Sequence, residues 1–357
     1  MEFSVAAPEK ELLSFHFHRP EKEVLMMRKD HIILVVIISI LAFLISAASQ
    51  EARSAEKSAT AAASTKIQIA FPSPTVSTLP IRMALKKGSY AWEGLDVELV
   101  QVNPNVSIAG LASGKLDYVT PLLTAIKAAI QGMPVRVVSI ILSRSMHYLV
   151  AKPEIKKIPQ LKGGSIRVNA IGDLTHDELK AALAKFGIKE TEVQIIGIAG
   201  EENGIVALET GRIDAAVQGL PSNLILEAKG YNRLLDLYEV LPVGTSVLAA
   251  STEKISKNPE EVKKVIRATL EGLSYMRQNK KETVDLLIEW MKMDPNLAEK
   301  TYDEVMPAYA FDGIGPREGL EISIENARQQ LKLNKPVPVS GVFNLRFAEQ
   351  LSVGVSK

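Results

Sequence analysis

The chain contains no cysteine. Disulfide staples, thiolate metal sites and cysteine nucleophiles are all excluded by that one absence. It does not fix the compartment, but it suits an oxidising one. Histidine is scarce: of the five, His16, His18 and His31 sit near the start, and His147 and His176 stand far apart without metal-ligand spacing. Neither sign of charge is in excess. The 42 Lys and Arg against 41 Asp and Glu give a net +1, which argues against a nucleic-acid-binding protein. No HExxH, Walker A or GxSxG pattern occurs. Gly163-Gly164 precedes a strand-like run rather than following one, so it reads as a turn and not as a dinucleotide site. No cofactor is implied. Long apolar runs are missing as well. Ile32–Ile45 is fourteen residues including a serine, short of the ~20 that a spanning helix requires.

That short run has the surroundings of a secretory signal. Arg28 and Lys29 precede it, and Ser46-Ala47-Ala48-Ser49 follows with small residues suited to cleavage after Ala48. An uncleaved N-terminal anchor is the alternative. Met26 or Met27 would open a more ordinary signal than Met1, so residues 1–25 read as an over-extended start. Without a cysteine at the cleavage site, lipid anchoring is excluded. Residues 1–48 are thus expected to be a leader and 49–65, rich in Ala and Ser, a linker. The remainder, 66–357, is of the size at which one core divides into two.

In that remainder β-branched runs alternate with helical ones. Lys66–Phe71, Leu95–Val102, Leu116–Val119 and Pro134–Leu142 read as strands, with helices between them closing at Gly88, Gly114 and Gly132. The order restarts with strands at Ser165–Ala170, Val193–Ile196 and Ile213–Val217. Thr175-His176-Asp177-Glu178 reads as a capping box, with His176 exposed at the helix start. One internal echo is specific: Leu111–Asp117 (LASGKLD) and Leu208–Asp214 (LETGRID) share the pattern L-x-[ST]-G-[KR]-[LI]-D, 97 residues apart. Both copies close a helix and lead into a strand, which indicates two similar lobes. Beyond about Thr252 the chain turns helical, over 259–278, 281–291, 295–306 and 316–331, with Asn258 and Asp294 placed as N-caps before a first-turn proline. The fold class expected is α/β: two lobes of doubly wound, mostly parallel sheet, with a hinge and an interlobe cleft. Candidate crossings are His147–Pro153 and Leu241–Ser251.

The sequence resembles the periplasmic solute-binding proteins of ABC importers, of the nitrate/taurine/alkanesulfonate branch related to thiamine-pyrimidine-synthesis proteins. The resemblance is carried by Gly88 with EGLDVE from Glu93, LASGKLD from Leu111, GMPVRVV from Gly132, LKGGSIRV from Leu161 and AL with GRIDAA from Ala207. Order and spacing agree from residue 66 to about 330. The resemblance implies a two-lobed periplasmic-binding-protein-like fold of type II, with lobe I built from 66–146 plus 250–357 and lobe II from 147–249. It also implies a small-molecule solute such as a sulfonate, nitrate, pyrimidine or carboxylate-type ligand, an inner-membrane ABC permease as partner, a periplasmic location, a monomer and no catalysis. An enzyme acting on a pyrimidine or menaquinone precursor, or a sensing module for a separate partner, are the alternatives on this fold. The pyrimidine-forming relatives that serve as their own reagent carry a Cys-rich motif, which this chain lacks.

Segments directly after strands face the cleft in such folds. Those at 71–75, 120–121 and 143–145 of the first lobe, and 172–175, 197–201 and 218–221 of the second, supply the candidate ligand-binding residues: Phe71, Ser73, Thr75, Thr120, Ser143, Arg144, Gly172, Asp173, Thr175, Gly200, Gln218 and Pro221. Free N–H groups at the helix starts among them would suit an anion. Arg144 is the permanent cation of the set, as a ligand anchor or equally as a solvated loop residue. Asp173 caps a helix or meets a ligand amine, capping being the stronger reading. Ser73 and Thr75 would cap the first helix equally well, and Pro121 and Pro221 shape turns. Tyr90 and Trp92 are expected to pack.

Overall fold

The computed structural model describes residues 64–352 with Ser73 excepted, so the leader and most of the linker lie outside the described residues. The β-branched runs form ten strands: β1 (Thr65–Phe71), β2 (Leu95–Gln101), β3 (Tyr118–Pro121), β4 (Val135–Leu142), β5 (His147–Ala151), β6 (Ser165–Val168), β7 (Gln194–Gly197), β8 (Ala215–Gly219), β9 (Asn232–Asp236) and β10 (Ser246–Ser251). They make two five-stranded sheets, ordered β2-β1-β3-β10-β4 and β7-β6-β8-β5-β9. The two orders are the same arrangement twice. In each, a parallel trio is followed by one reversed strand, β10 or β5, and then by a strand that runs with the trio. The sheets are therefore mostly parallel in direction, each interrupted by the strand that arrives from the other half of the chain.

Helices cover the sheets. In the first half they are α1 (Leu79–Lys87), α2 (Ser89–Trp92), α3 (Pro104–Ala112) and α4 (Leu122–Ile130). In the second they are α5 (Leu174–Lys185), α6 (Glu201–Glu209) and α7 (Ser222–Ala228). Then follow α8 (Thr252–Lys257), α9 (Pro259–Gln278), α10 (Lys280–Met291), α11 (Pro295–Val305), α12 (Arg317–Gln330) and α13 (Arg346–Ser352). This tail returns to the first sheet. Gly272 of α9 lies so close to α1 that a Cβ would stand 2.5 Å from the Pro80 carbonyl oxygen. Tyr90 meets Thr269 across a 2.7 Å hydrogen bond, and Phe343 bridges to Val137 of β4. Asp294 caps α11 through Asn296 N–H, whereas Asn258 precedes α9 without a side-chain cap.

The repeated motif has one physical meaning in both copies. Gly114 and Gly211 take φ of +72° and +74°, turning the chain from helix to strand. The aspartate that follows then ties the third strand to the first: Asp117 accepts from Gln68 N–H at 2.7 Å, and Asp214 from Ser165 N–H at 2.8 Å. A lysine beyond the reversed strand neutralises each one, Lys254 on Asp117 and Lys152 on Asp214, both at 2.7 Å. Asp214 is held below the usual carboxylate range, first by Lys152 and then by the Ser165 N–H.

Several expectations are corrected. His147–Ala151 is a strand, so the first passage between sheets is Ser143–Met146 rather than 147–153. β10 pairs along its length with β4, so the second passage ends before Ser246 and the boundary at 249/250 falls inside a strand. The third strand starts at Tyr118, not Leu116, because Asp117 is occupied with Gln68. The capping box moves: Asp173 is the N-cap, accepting from His176 N–H at 3.1 Å, and Thr175 lies inside α5. His176 is half-buried, its Nδ1 accepting from Gly172 N–H. Tyr90 packs as expected, but Trp92 is 87% exposed.

The two passages lie side by side. Ser145 N–H donates to Val243 C=O at 2.8 Å, and Thr245 N–H to Leu142 C=O at 3.0 Å. Gly244 makes this possible, since a Cβ there would stand 2.6 Å from the Leu142 carbonyl oxygen. We predict that Gly244→Ala, which must push the passages apart, lowers stability by about 1–3 kcal/mol. A urea midpoint at the parent value would show that the passages yield to a methyl group at no cost.

Candidate functional site

The parallel trios end their strands on a common hollow, a cleft of about 680 Å³. The first sheet contributes Pro72, Pro74 and Thr75 after β1, Thr120 and Pro121 at the end of β3, and Thr245 and Ser246 where β10 begins. The second contributes His147, Asn169 after β6, Asp173–Thr175 at the start of α5, Gly200–Asn203 at the start of α6, and Gly219 with Leu220 after β8. Ligands of open α/β sheets bind at such carboxyl ends. A second hollow of about 700 Å³ shares Asn169 and Asp173 and runs past α3 and α4, with Lys127 in its wall. Burial lowers the pKa of Lys127, against the pull of Asp177 and Asp173.

The second-sheet wall is organised by Arg167, a fully buried residue of β6. Its guanidinium donates to Ile198 C=O at 2.8 Å, Val217 C=O at 2.6 Å and Gly200 C=O at 3.0 Å, and to the Asn169 side chain at 3.3 Å. These acceptors are carbonyls at the ends of neighbouring strands and turns, so one side chain fixes the lip of three connections. A buried guanidinium requires a counter-charge, and Glu201 supplies it at 3.8 Å while accepting from Gly219 N–H at 2.8 Å. Asn169 extends the network by accepting from Gly200 N–H at 3.0 Å and donating to Asp173 at 3.1 Å.

His147 begins β5 at the edge of the cleft. Its Nδ1 is 2.7 Å from Oε2 of Glu178, which is wholly buried on α5 and whose Oε1 has no partner. Burial alone would lower the histidine pKa. The Glu178 carboxylate outweighs it, with Glu201 and Asp173 adding, and holds His147 protonated up to about 9.

Of the residues expected from the sequence, Thr75, Thr120, Asp173, Thr175 and Gly200 line the cleft together. Ser73 lies outside the described residues. The others stand elsewhere. Phe71 is buried beneath the cleft as the last residue of β1. Ser143 is bound to the Ala308 carbonyl in the first passage. Arg144 pairs with Asp236 and lies 4.7 Å from the Tyr238 ring centre, so it belongs to the passages and neither lines the cleft nor is solvated without a partner. Gly172 borders the second hollow. Gln218 is fully buried between Arg167 and Glu201. Pro221 stands just before α7 at its N-cap position, and its neighbour Leu220 forms the wall instead. Arg167 and Asn169 were missed, although a charged residue inside the apolar run SIRVNA was a readable signal. His147 and Glu178 were not readable as a pair, since only the fold brings β5 against α5.

Residues 76–283 match the family model described as NMT1/THI5 like. The riboflavin-binding protein RibY of Chloroflexus aurantiacus is 25% identical over 298 residues, covering 77% of this chain and 83% of that protein. A 4-amino-5-hydroxymethyl-2-methylpyrimidine phosphate synthase of Saccharomyces cerevisiae, THI13, is 24% identical over 260 residues, 67% of this chain and 74% of that one. The crystal structure of the periplasmic aliphatic sulphonate binding protein SsuA of Escherichia coli superposes with a TM-score of 0.66 at 18% identity, covering 78% of this chain and 92% of that chain. The fold is thus that of the periplasmic binding proteins, as the sequence resemblance implied.

The His147–Glu178 pair makes stability depend on pH. The folded pKa of about 9 lies above the ordinary 6.5. Its contribution is therefore fully present below pH 6.5 and is lost as pH rises through about 9. A difference of that size between the folded and unfolded chain corresponds to on the order of 3 kcal/mol. We expect the melting temperature to fall across that window and the His147→Gln variant to show a flatter profile. Parallel profiles would show that the pair does not set the pH dependence.

Proposed function

The chain belongs to the NMT1/THI5-like family, and on that premise we propose that it is an exported, non-catalytic binding protein that captures a small solute and delivers it to an inner-membrane ABC permease. The observation that carries this reading is the cleft, whose walls come from both sheets while the chain passes between those sheets only at 143–146 and 240–245 among the described residues. A ligand touching both walls stabilises whichever relation of the two halves brings them onto it, which is the requirement for closure on a solute. We take the halves as lobe I, from 66–146 with the C-terminal return to 357, and lobe II between them, with the return beginning at β10.

Export is supported by the composition of the leader and by the periplasmic character of SsuA. Among the described residues no helix is long and apolar enough to cross a membrane. The names of the relatives offer riboflavin, pyrimidine and sulfonate chemistry as starting points for the ligand. The yeast relative is named as a synthase, which keeps an enzymatic reading as the competitor.

A thermal-shift screen with riboflavin, 4-amino-5-hydroxymethyl-2-methylpyrimidine, methanesulfonate, taurine, nitrate, bicarbonate and aromatic carboxylates tests the proposal. One chemical class should raise the melting temperature in a concentration-dependent way, by RT ln(1 + [L]/Kd) in free energy, and be recovered unchanged after incubation. No stabilisation by any of them contradicts solute binding, and chemical conversion of the bound compound moves the chain to the enzymatic reading.

A further inference from the structure

We infer that the cleft selects a solute without net negative charge, one that offers O–H or N–H donors to Glu202 and the surrounding hydroxyls, and that it discriminates against sulfonate-type anions. This rests on the solute-binding reading above and concerns the same cleft.

The cations near the cleft are already committed. The N–H groups of Arg167 are directed at Ile198, Val217, Gly200 and Asn169, and its charge faces Glu201. Arg144 is engaged by Asp236 outside the cleft. His147 is matched by Glu178. Lys127 borders the second hollow and is not among the residues lining the cleft. No guanidinium or ammonium therefore lines the cleft among the described residues, and the His147 imidazolium that does is already balanced by Glu178.

The helix starts of the second sheet carry carboxylates of their own. Free N–H groups at the start of α5 and α6 would ordinarily favour an anion. Here Asp173 caps α5, accepting from His176 N–H and from the Thr175 hydroxyl at 2.6 Å. The first turn of α6 carries Glu201 and Glu202, whose negative charges offset its positive end without capping it. The α5 start is thus closed by a carboxylate, while the α6 start, uncapped at Gly200, keeps its N–H groups with two carboxylates in the same turn.

What remains is a hydrogen-bonding surface of net negative character. Arg167 balances Glu201 and His147 balances Glu178, which leaves Asp173 and Glu202 uncompensated. Asp173 has its oxygens on Asn169, Thr175 and His176. Glu202 is exposed at the cleft and has no ion-pair or hydrogen-bond partner among the described residues. The same cleft wall carries Thr75 and Ser77, the hydroxyls of Thr120, Thr175 and Ser246, which already donate to Ala70 C=O, Asp173 and Ser77 C=O, and Thr245, whose Oγ1 is buried without a partner. A carboxylate can only accept, and hydroxyls that already donate can still accept, so a neutral, donor-rich solute or one bearing an amine completes this set, whereas an anion meets like charge at Glu202 and Asp173.

Charge-matched pairs test the inference by calorimetry on the purified protein and on its Glu202→Gln variant. The pairs are riboflavin with riboflavin 5′-phosphate, 4-amino-5-hydroxymethyl-2-methylpyrimidine with its phosphate, and methanesulfonamide with methanesulfonate. Wherever binding is measured, the uncharged member should bind at least tenfold more tightly, and the gap should narrow several-fold in Glu202→Gln. An anionic member binding as tightly as its neutral partner, or more tightly, overturns the inference while leaving solute binding intact. A gap unchanged in Glu202→Gln overturns the part assigned to that carboxylate. Failure of all six compounds counts against solute binding itself, and the inference falls with it.

Discussion

The backbone crosses between the sheets at 143–146 and 240–245, and two hydrogen bonds, Ser145 N–H to Val243 C=O and Thr245 N–H to Leu142 C=O, hold those passages against each other. Because the chain arrives in each sheet from the other half, its first strand there enters reversed and wedges between the third and fourth strands. A lysine just beyond the reversed strand then neutralises the aspartate at the root of the third strand. Topology, register and the charge pairs at the sheet bases thus follow from one event repeated twice. The cleft follows too, since the passages start beside Leu142, Met146, His147 and Thr245, all of which line it.

Much of this was legible in the sequence. The parallel strands and their covering helices show as apolar runs closed by glycines, and the LASGKLD and LETGRID echo marks two equivalent helix-to-strand corners whose aspartates prove to do the same work. β5, β9 and β10 were not assigned as strands. Their neighbours are supplied by distant segments, so local alternation does not distinguish them from connections. Capping was misread at Thr175 for a related reason. Asp173, two residues earlier, is the better acceptor once Asn169 and Thr175 converge on it. Glu178 was thereby assigned to a helix end, although it is buried against a histidine from another strand.

The site was half legible. Post-strand position brings Thr75, Thr120, Asp173, Thr175 and Gly200 to the cleft wall, because the carboxyl ends of the parallel strands open on it. It fails for Arg144 and Gln218, whose side chains turn away to satisfy Asp236 and to pack with Arg167. Buried charge explains the second failure, since the Arg167 guanidinium, out of water, gathers its neighbours about it; Arg144 stays partly exposed and is drawn aside by Asp236 and the Tyr238 ring. The sequence left the charge of the ligand open, with bare helix starts suiting an anion and Asp173 opposing one; in the fold Asp173 caps α5, and α6 starts uncapped at Gly200 with two glutamates in its first turn.

The central claim is that the two halves close on a solute about their paired passages. The absence of cysteine allows a clean measurement, since two labels can be introduced without removing any native thiol. Asn105, near the start of α3, and Ile171, in the turn before α5, face the same hollow from opposite halves and both are exposed. Spin labels at Asn105→Cys and Ile171→Cys report their separation by pulsed electron resonance, without and with the solute that raises the melting temperature. Closure predicts a shorter and narrower distance distribution with solute bound. The same distribution in both samples would contradict it.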